Sequence, residues 1–205
     1  MMHSDDSEAR PGRTPGNESP HETPWIETVP EDEADGELVN CYRRLGHPIA
    51  HILLSISVNP AVLRTHYALY RAIMFGPSPL TRTQREVVAT VVSLLNQRHR
   101  RIHHHGEALR QVQGGDPTLL RALVDGFRSA PVSPAERVML QYVEWMTSEP
   151  RSIAESDVRS LRVGGWDDRA IHDMSQVISY FNYLNRLADG LGVSPEAEWS
   201  PSWPD

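Results

Sequence analysis

The chain has 205 residues, 39% of them hydrophobic and 23% charged, with a formal net charge of -7 and one cysteine, Cys41. The length suits one helical domain or two small helical halves around a shared core. The acidic balance excludes nucleic acid as a general partner, because phosphate binding needs a basic face. A lone cysteine excludes an intramolecular disulfide, CxxC chemistry and a Cys-based zinc site within one chain.

Residues 1–24 are rich in Ser, Glu, Asp, Pro and Gly and nearly free of large apolar residues. They read as a disordered arm, since such a segment buries too little surface to offset its ordering entropy. This arm has no apolar segment of the secretory type, and no apolar run in the chain approaches the roughly 20 residues of a membrane helix. A cytoplasmic, membrane-free protein is the expectation. The domain proper is placed at 25–196, with an extended tail at 197–205 that carries Trp199 and Trp203.

Between the ends the periodicity is helical, which predicts an all-α fold. A first helix is predicted from Glu31 to Leu45, stopped by Gly46 and Pro48. A second runs from Pro60 to Phe75 with a broad apolar face. Thr81 and Gln84 form a capping box that opens a helix almost wholly apolar from Val87 to Leu95, and a helix apolar all round is a buried one. Asn96 and Gln97 interrupt the run, and a further helix is expected from near Arg98 to Val112. Asp116-Pro117 reads as the cap of the next helix. Ser133/Glu136 and Ser152/Glu155 read as two more boxes. The last long helix is expected from Asp167 to Ala188. Residues 80–92 are similar to residues 132–144 in cap and apolar phase, which leaves two related helical halves as an open reading.

Four of the ten histidines crowd between His99 and His105, interleaved with Arg98, Arg100 and Arg101. His99 and His103 share a helix face, as do His103 and Glu107. The adjacent arginines oppose a divalent cation, so no metal is assigned here. Arginines at a helix N-terminus call for an anionic answer, from Glu86 or from a bound carboxylate or phosphate. Cys41 and the methionines Met74, Met139, Met146 and Met174 read as packing residues. Asn182, Asn185 and Arg186 punctuate the last helix and read as pocket or subunit-contact residues, with an interface favoured for Asn185 and Arg186.

The segment 80–110 gives these residues a frame. Glu86 is followed by eleven residues, Arg98, two residues, Arg101, three residues and His105. This spacing resembles that of the carboxymuconolactone decarboxylase / alkylhydroperoxidase (AhpD-like) family, above all its peroxidase-related branch, which carries Glu, two cysteines and His at these positions. GPSPL (76–80), SLLN (93–96), HHGEALR (104–110) and the stretch 175–193 look like the same branch, so the resemblance covers roughly Pro30 to Val193. It implies an AhpD-like helical bundle, a dimer-based homo-oligomer and an oxidoreductase site in which a Glu/His pair relays protons to a reactive thiolate.

In this chain Glu86 and His105 hold the relay positions, while Arg98 and Arg101 stand where the family has both sulfurs. Arginine is neither a nucleophile nor a redox group. Three readings stay open. One is a divergent, peroxidase-related member or pseudoenzyme without a redox dithiol. Another is a cofactor-independent lyase or small-carboxylate binder, with Glu86 and His105 as catalytic acid and base and with Arg98, His99, Arg100 and Arg101 as the substrate clamp. The third is an inactive structural oligomer. None of the three calls for a cofactor.

Overall fold

A computed structural model describes residues 24–96 and 99–194, the stretch 99–104 as backbone only. The predicted arm and tail lie outside the described residues, Pro24 excepted, and so does Arg98. The described chain is helical throughout, with no β-strand among its residues. In chain order the helices are α1 (Gly36–Leu45), α2 (His51–Leu54), α3 (Pro60–Phe75), α4 (Arg82–Leu95), α5 (His99–Val112), α6 (Thr118–Gly126), α7 (Pro134–Ser148), α8 (Glu155–Val163) and α9 (Asp168–Gly190).

The centre of the molecule is α4, which packs against α5, α7 and α9. Every residue from Arg85 to Ser93 is buried, and from Val87 on this is what the almost wholly apolar run predicts. Around it lie Leu109 of α5, Leu120 and Leu123 of α6, Met139, Leu140 and Val143 of α7, Leu161 of α8 and Met174, Val177 and Ile178 of α9. A smaller cluster closes the other end, with Leu38, Cys41 and Tyr42 of α1 against Leu63 of α3 and with Leu187 of α9 at its edge. The N-terminal approach is tied down there as well. Trp25 N–H donates to the Leu191 carbonyl (2.9 Å), and Val29 N–H donates to the Ser57 hydroxyl (2.8 Å). Gly192 has φ +63°, and a Cβ on it would fall 2.1 Å from the Trp25 indole, so only glycine fits beneath that ring.

The helix starts explain the lengths. Asn59 accepts from Val62 N–H (3.2 Å) and Pro60 takes the first position of α3. At α4 the box is reciprocal: Thr81 Oγ1 accepts from Gln84 N–H (3.2 Å) and Gln84 Oε1 accepts from Thr81 N–H (3.0 Å). Ser133 and Glu136 do the same for α7. The two boxes also meet, because Gln84 Nε2 donates to Glu136 Oε1 (3.3 Å).

The structure corrects the sequence reading in four places. The first predicted helix is split: Glu31–Glu33 forms a 3-10 turn, Ala34 and Asp35 are extended, and α1 starts at Gly36. The short α2 was not anticipated, since four residues carry no readable period. Asp116 accepts from Thr118 N–H (2.9 Å), but the residue before α6 is Pro117, so Asp116 is not its N-cap and the helix begins one residue later than expected. Ser152 and Glu155 form no box. Ser152 lies in a 3-10 turn with its hydroxyl on the Glu149 carbonyl (2.8 Å), and α8 is closed by Asp157, which accepts from Ala154 N–H (2.8 Å).

Replacing Thr81 or Ser133 with Ala should each cost about 1 kcal/mol of unfolding free energy in urea titrations. Because the two boxes touch through Gln84 and Glu136, the double variant should lose less than the sum of the two.

Candidate functional site

The site candidates gather where α4 faces α5 and α9. Glu86 projects from the second turn of α4 and is 1% exposed. A carboxylate so deeply buried costs several kcal/mol unless it is paired, and two partners stand among the described residues. Arg82, one turn earlier on the same helix, donates from Nη2 to Oε1. His105, on α5, places Nδ1 3.4 Å from Oε2. The imidazole is buried and set edge-on against the Phe181 ring of α9, with centroids 4.3 Å apart.

Arg82 is itself held from three sides. Its Nη1 donates to the Met74 carbonyl at the end of α3 (2.8 Å), and its guanidinium lies 3.9 Å above the Phe75 ring. Arg85 does a similar service one turn along. It donates to the carbonyls of Ile73 (3.1 Å), Gly76 (2.9 Å) and Leu80 (3.1 Å), taking up acceptors that the end of α3 leaves open. Two arginines of α4 therefore rivet the α3–α4 turn, and one of them also neutralises Glu86. Neither role was read from the sequence. The signal was available, since Arg82 and Glu86 stand at i,i+4 at the start of a helix that turns almost wholly apolar after them.

An aromatic array backs the site. Tyr70 stacks on Tyr180 (6.0 Å), and its hydroxyl is held up by burial first and by the Glu86 charge second. Tyr180 is likewise pushed up by burial, and its hydroxyl lies 2.8 Å from Nε2 of His66. His66 is buried on α3 and drawn down to about 4 by desolvation. His66 was not among the residues singled out in the sequence, because a single histidine inside an amphipathic helix gives no pattern.

The remaining candidates separate. Glu86 and His105 come together as the spacing predicts. The expected pair of Glu86 with Arg98 or Arg101 lies outside the described residues; among those described, Arg82 holds that carboxylate from four residues away on the same helix. Arg100, Arg101, His99 and His103 fall on the first turns of α5, with side chains outside the described set, as is the whole of Arg98. Cys41 packs in the small α1–α3 cluster with its thiol on the Pro60 carbonyl (3.6 Å), and burial raises the thiol. Asn182 belongs to the subunit interior. It donates to Thr147 Oγ1 (3.2 Å) and accepts from Asn96 Nδ2 (3.1 Å) and from Arg186 Nη1 (3.2 Å). Asn185 is 3% exposed within the single chain, so its burial requires no subunit contact. A groove of about 590 Å³ runs between α7 and α9, lined by Met146, Ile178, Asn182, Tyr183 and Arg186 among others. Neither Glu86 nor His105 lines it.

Residues 60–145, which include Glu86 and His105, match the model of the carboxymuconolactone decarboxylase family. An uncharacterized peroxidase-related protein from Silicibacter sp. TM1040 is 34% identical over 91% of this chain and 96% of its own, with a TM-score of 0.73. The chain belongs to the carboxymuconolactone decarboxylase family. The AhpD-like fold expected for that family is shared at lower identity too. An alkylhydroperoxidase AhpD-core, peroxidase-related protein from Ralstonia eutropha JMP134 superposes with a TM-score of 0.77 at 21% identity, over 87% of this chain and 95% of its own. The debrominase Bmp8, in complex with 2,3,4-tribromopyrrole, gives 0.67 at 14% identity, over 79% and 85% of the two chains, a likeness of fold. No curated protein matches the chain. No helix among the described residues is long and apolar enough to cross a membrane.

The His66 environment sets a pH dependence for this family member. The fold favours the neutral imidazole, with its proton affinity drawn down to about 4. The unfolded chain takes up the extra proton near 6.5, so stability falls as the pH falls through the window from 6.5 to about 4. Roughly 2 kcal/mol should be lost between pH 6.5 and 5 in urea titrations, and His66→Asn should flatten that slope.

Proposed function

We propose that this chain is a divergent, peroxidase-related family member that does not reduce peroxides through a dithiol. In its place, Glu86 and His105 form a proton-handling pair for a small carboxylated molecule, with Arg98, Arg100, Arg101 and His99 supplying the cationic surround. The observation that carries this reading is the contact of His105 Nδ1 with Glu86 Oε2 in a chain whose one thiol lies elsewhere.

Dithiol peroxidase chemistry begins when a thiolate attacks the O–O bond, and a second thiol then resolves the sulfenic acid to a disulfide. Arg98 and Arg101 stand at the two positions where the family pattern has those sulfurs. Cys41 is a poor substitute, because it is buried on another helix and its burial favours the thiol over the thiolate. What the site retains is acid–base equipment. A buried, paired carboxylate orients an imidazole, and an imidazole can both accept and donate a proton. The backbone of α5 opens at His99, so Arg100 and Arg101 stand in its first turn, where free backbone N–H groups and guanidinium forks together suit a carboxylate. A cofactor-independent lyase or a carboxylate-binding protein both fit this equipment.

A second reading, a dimer-based oligomer without activity, draws on the outer face of α3, where Val62, Leu69 and Phe75 are exposed. On that reading Val62→Glu with Leu69→Glu converts the assembly to monomer in sedimentation velocity runs.

Peroxide consumption with a dithiol or lipoyl-type donor should match the uncatalysed background, and turnover that survives Cys41→Ser would overturn the proposal. Benzoate or a dicarboxylate should raise the melting temperature by mass action, whereas chloride at equal ionic strength should not. Arg98→Ala should remove the gain, and a flat thermal response to every carboxylate tried would favour the inactive oligomer.

A further inference from the structure

Glu86 has two carboxylate oxygens, and the structure gives them different partners: Oε1 takes Arg82 Nη2, and Oε2 faces His105 Nδ1 at 3.4 Å. An ionised carboxylate only accepts hydrogen bonds, so a neutral imidazole facing it through Nδ1 must carry its proton there. The other ring nitrogen, Nε2, then bears the lone pair. Which tautomer an imidazole adopts is set by the bond that one nitrogen makes, and here that bond depends on where Glu86 points.

Arg82 controls that direction. Its guanidinium is fixed by the Met74 carbonyl at 2.8 Å, by the Phe75 ring at 3.9 Å and by its own position one turn before Glu86. It therefore meets the carboxylate as part of the framework, and not as a mobile surface cation. With Oε1 occupied by a charge-assisted bond, the carboxylate plane is set and Oε2 is left for α5. The charged and titratable groups described around the pair are Arg82 and Glu86 from α4, Tyr70 from α3 and His105 from α5, with the apolar Phe181 supplied by α9.

We propose that Arg82 is the positioning residue of the Glu86–His105 pair, clamping Oε1 so that Oε2 fixes the imidazole with its proton on Nδ1 and its lone pair on Nε2; this rests on that pair being the working site. It divides the labour within the pair. Glu86 is the anchor, and His105 is the group that takes and returns a proton, through Nε2. Arg82 touches neither a substrate nor the atom that receives the proton, and it acts through Glu86 alone.

The test is long-range proton–nitrogen NMR on protein labelled with ¹⁵N-histidine, recorded where the imidazole is neutral. The wild-type His105 signal should show a protonated Nδ1 and a bare Nε2, and a wild-type spectrum with the proton on Nε2 overturns the proposal without any variant. Arg82→Gln should reverse the Nδ1–H to Nε2–H ratio, while Arg82→Lys, which keeps a cationic donor for Oε1, should preserve the wild-type tautomer. A folded Arg82→Gln protein that retains Nδ1–H assigns Arg82 to the α3–α4 turn alone and overturns the proposal. Glu86→Ala separates the two ideas. If it abolishes the preference and Arg82→Gln does not, only the Arg82 assignment fails. If the preference survives Glu86→Ala, the Glu86–His105 reading fails with it.

Discussion

Everything near the site follows from one burial problem, a carboxylate on the most enclosed helix of the molecule. Glu86 lies within a run of nine buried residues, and neither solvent nor a neighbouring surface is at hand to stabilise its charge. The solution is local on one side and tertiary on the other, with Arg82 a single turn away and His105 brought in by α5. Breaking either side would leave an uncompensated charge in the core, and that is the expensive way to disturb a buried pair.

The same helix start also fastens the fold. Arg82 and Arg85 reach back to the carbonyls of Ile73, Met74 and Gly76, so side chains of α4 complete the end of α3 beside its own Gly76 cap on the Ala72 carbonyl. Geometry at the site and stability of the turn are thus coupled through one guanidinium. Phe75, partly exposed, holds Arg82 on one face and has Arg71 4.4 Å from its centre, which draws the outer surface of α3 into the arrangement. Tyr70 and Tyr180 continue it inward to His66.

Family membership and site chemistry point in different directions here. The fold agrees with that of the peroxidase-related relatives, while the sole cysteine sits in the α1–α3 cluster. The groove between α7 and α9 is a separate feature, reached from Asn182 and Arg186, and it shares no lining residue with the pair.

The sequence alone determined the helical class, the extent of α3 and α4 and the start of α7, and its likeness to a known family pointed to Glu86 and His105. These rest on short-range signals: an apolar period, proline at a first turn, a Thr/Gln or Ser/Glu box, and a spacing that resembled a known family. It misplaced the start of α8, because Ser152/Glu155 and Ala154/Asp157 offer overlapping registers and only the packing of the preceding 3-10 turn selects one. It left unread the pairing of Glu86 with Arg82, one turn away on the same helix. Only the tertiary structure decided that point. Whether a surface-capable arginine turns inward depends on what waits for it, and the Met74 carbonyl and Phe75 ring that hold Arg82 belong to the end of another helix. Tertiary packing likewise made His66 a neutral core group by closing Tyr180 over it, a contact across 114 residues that no local pattern encodes.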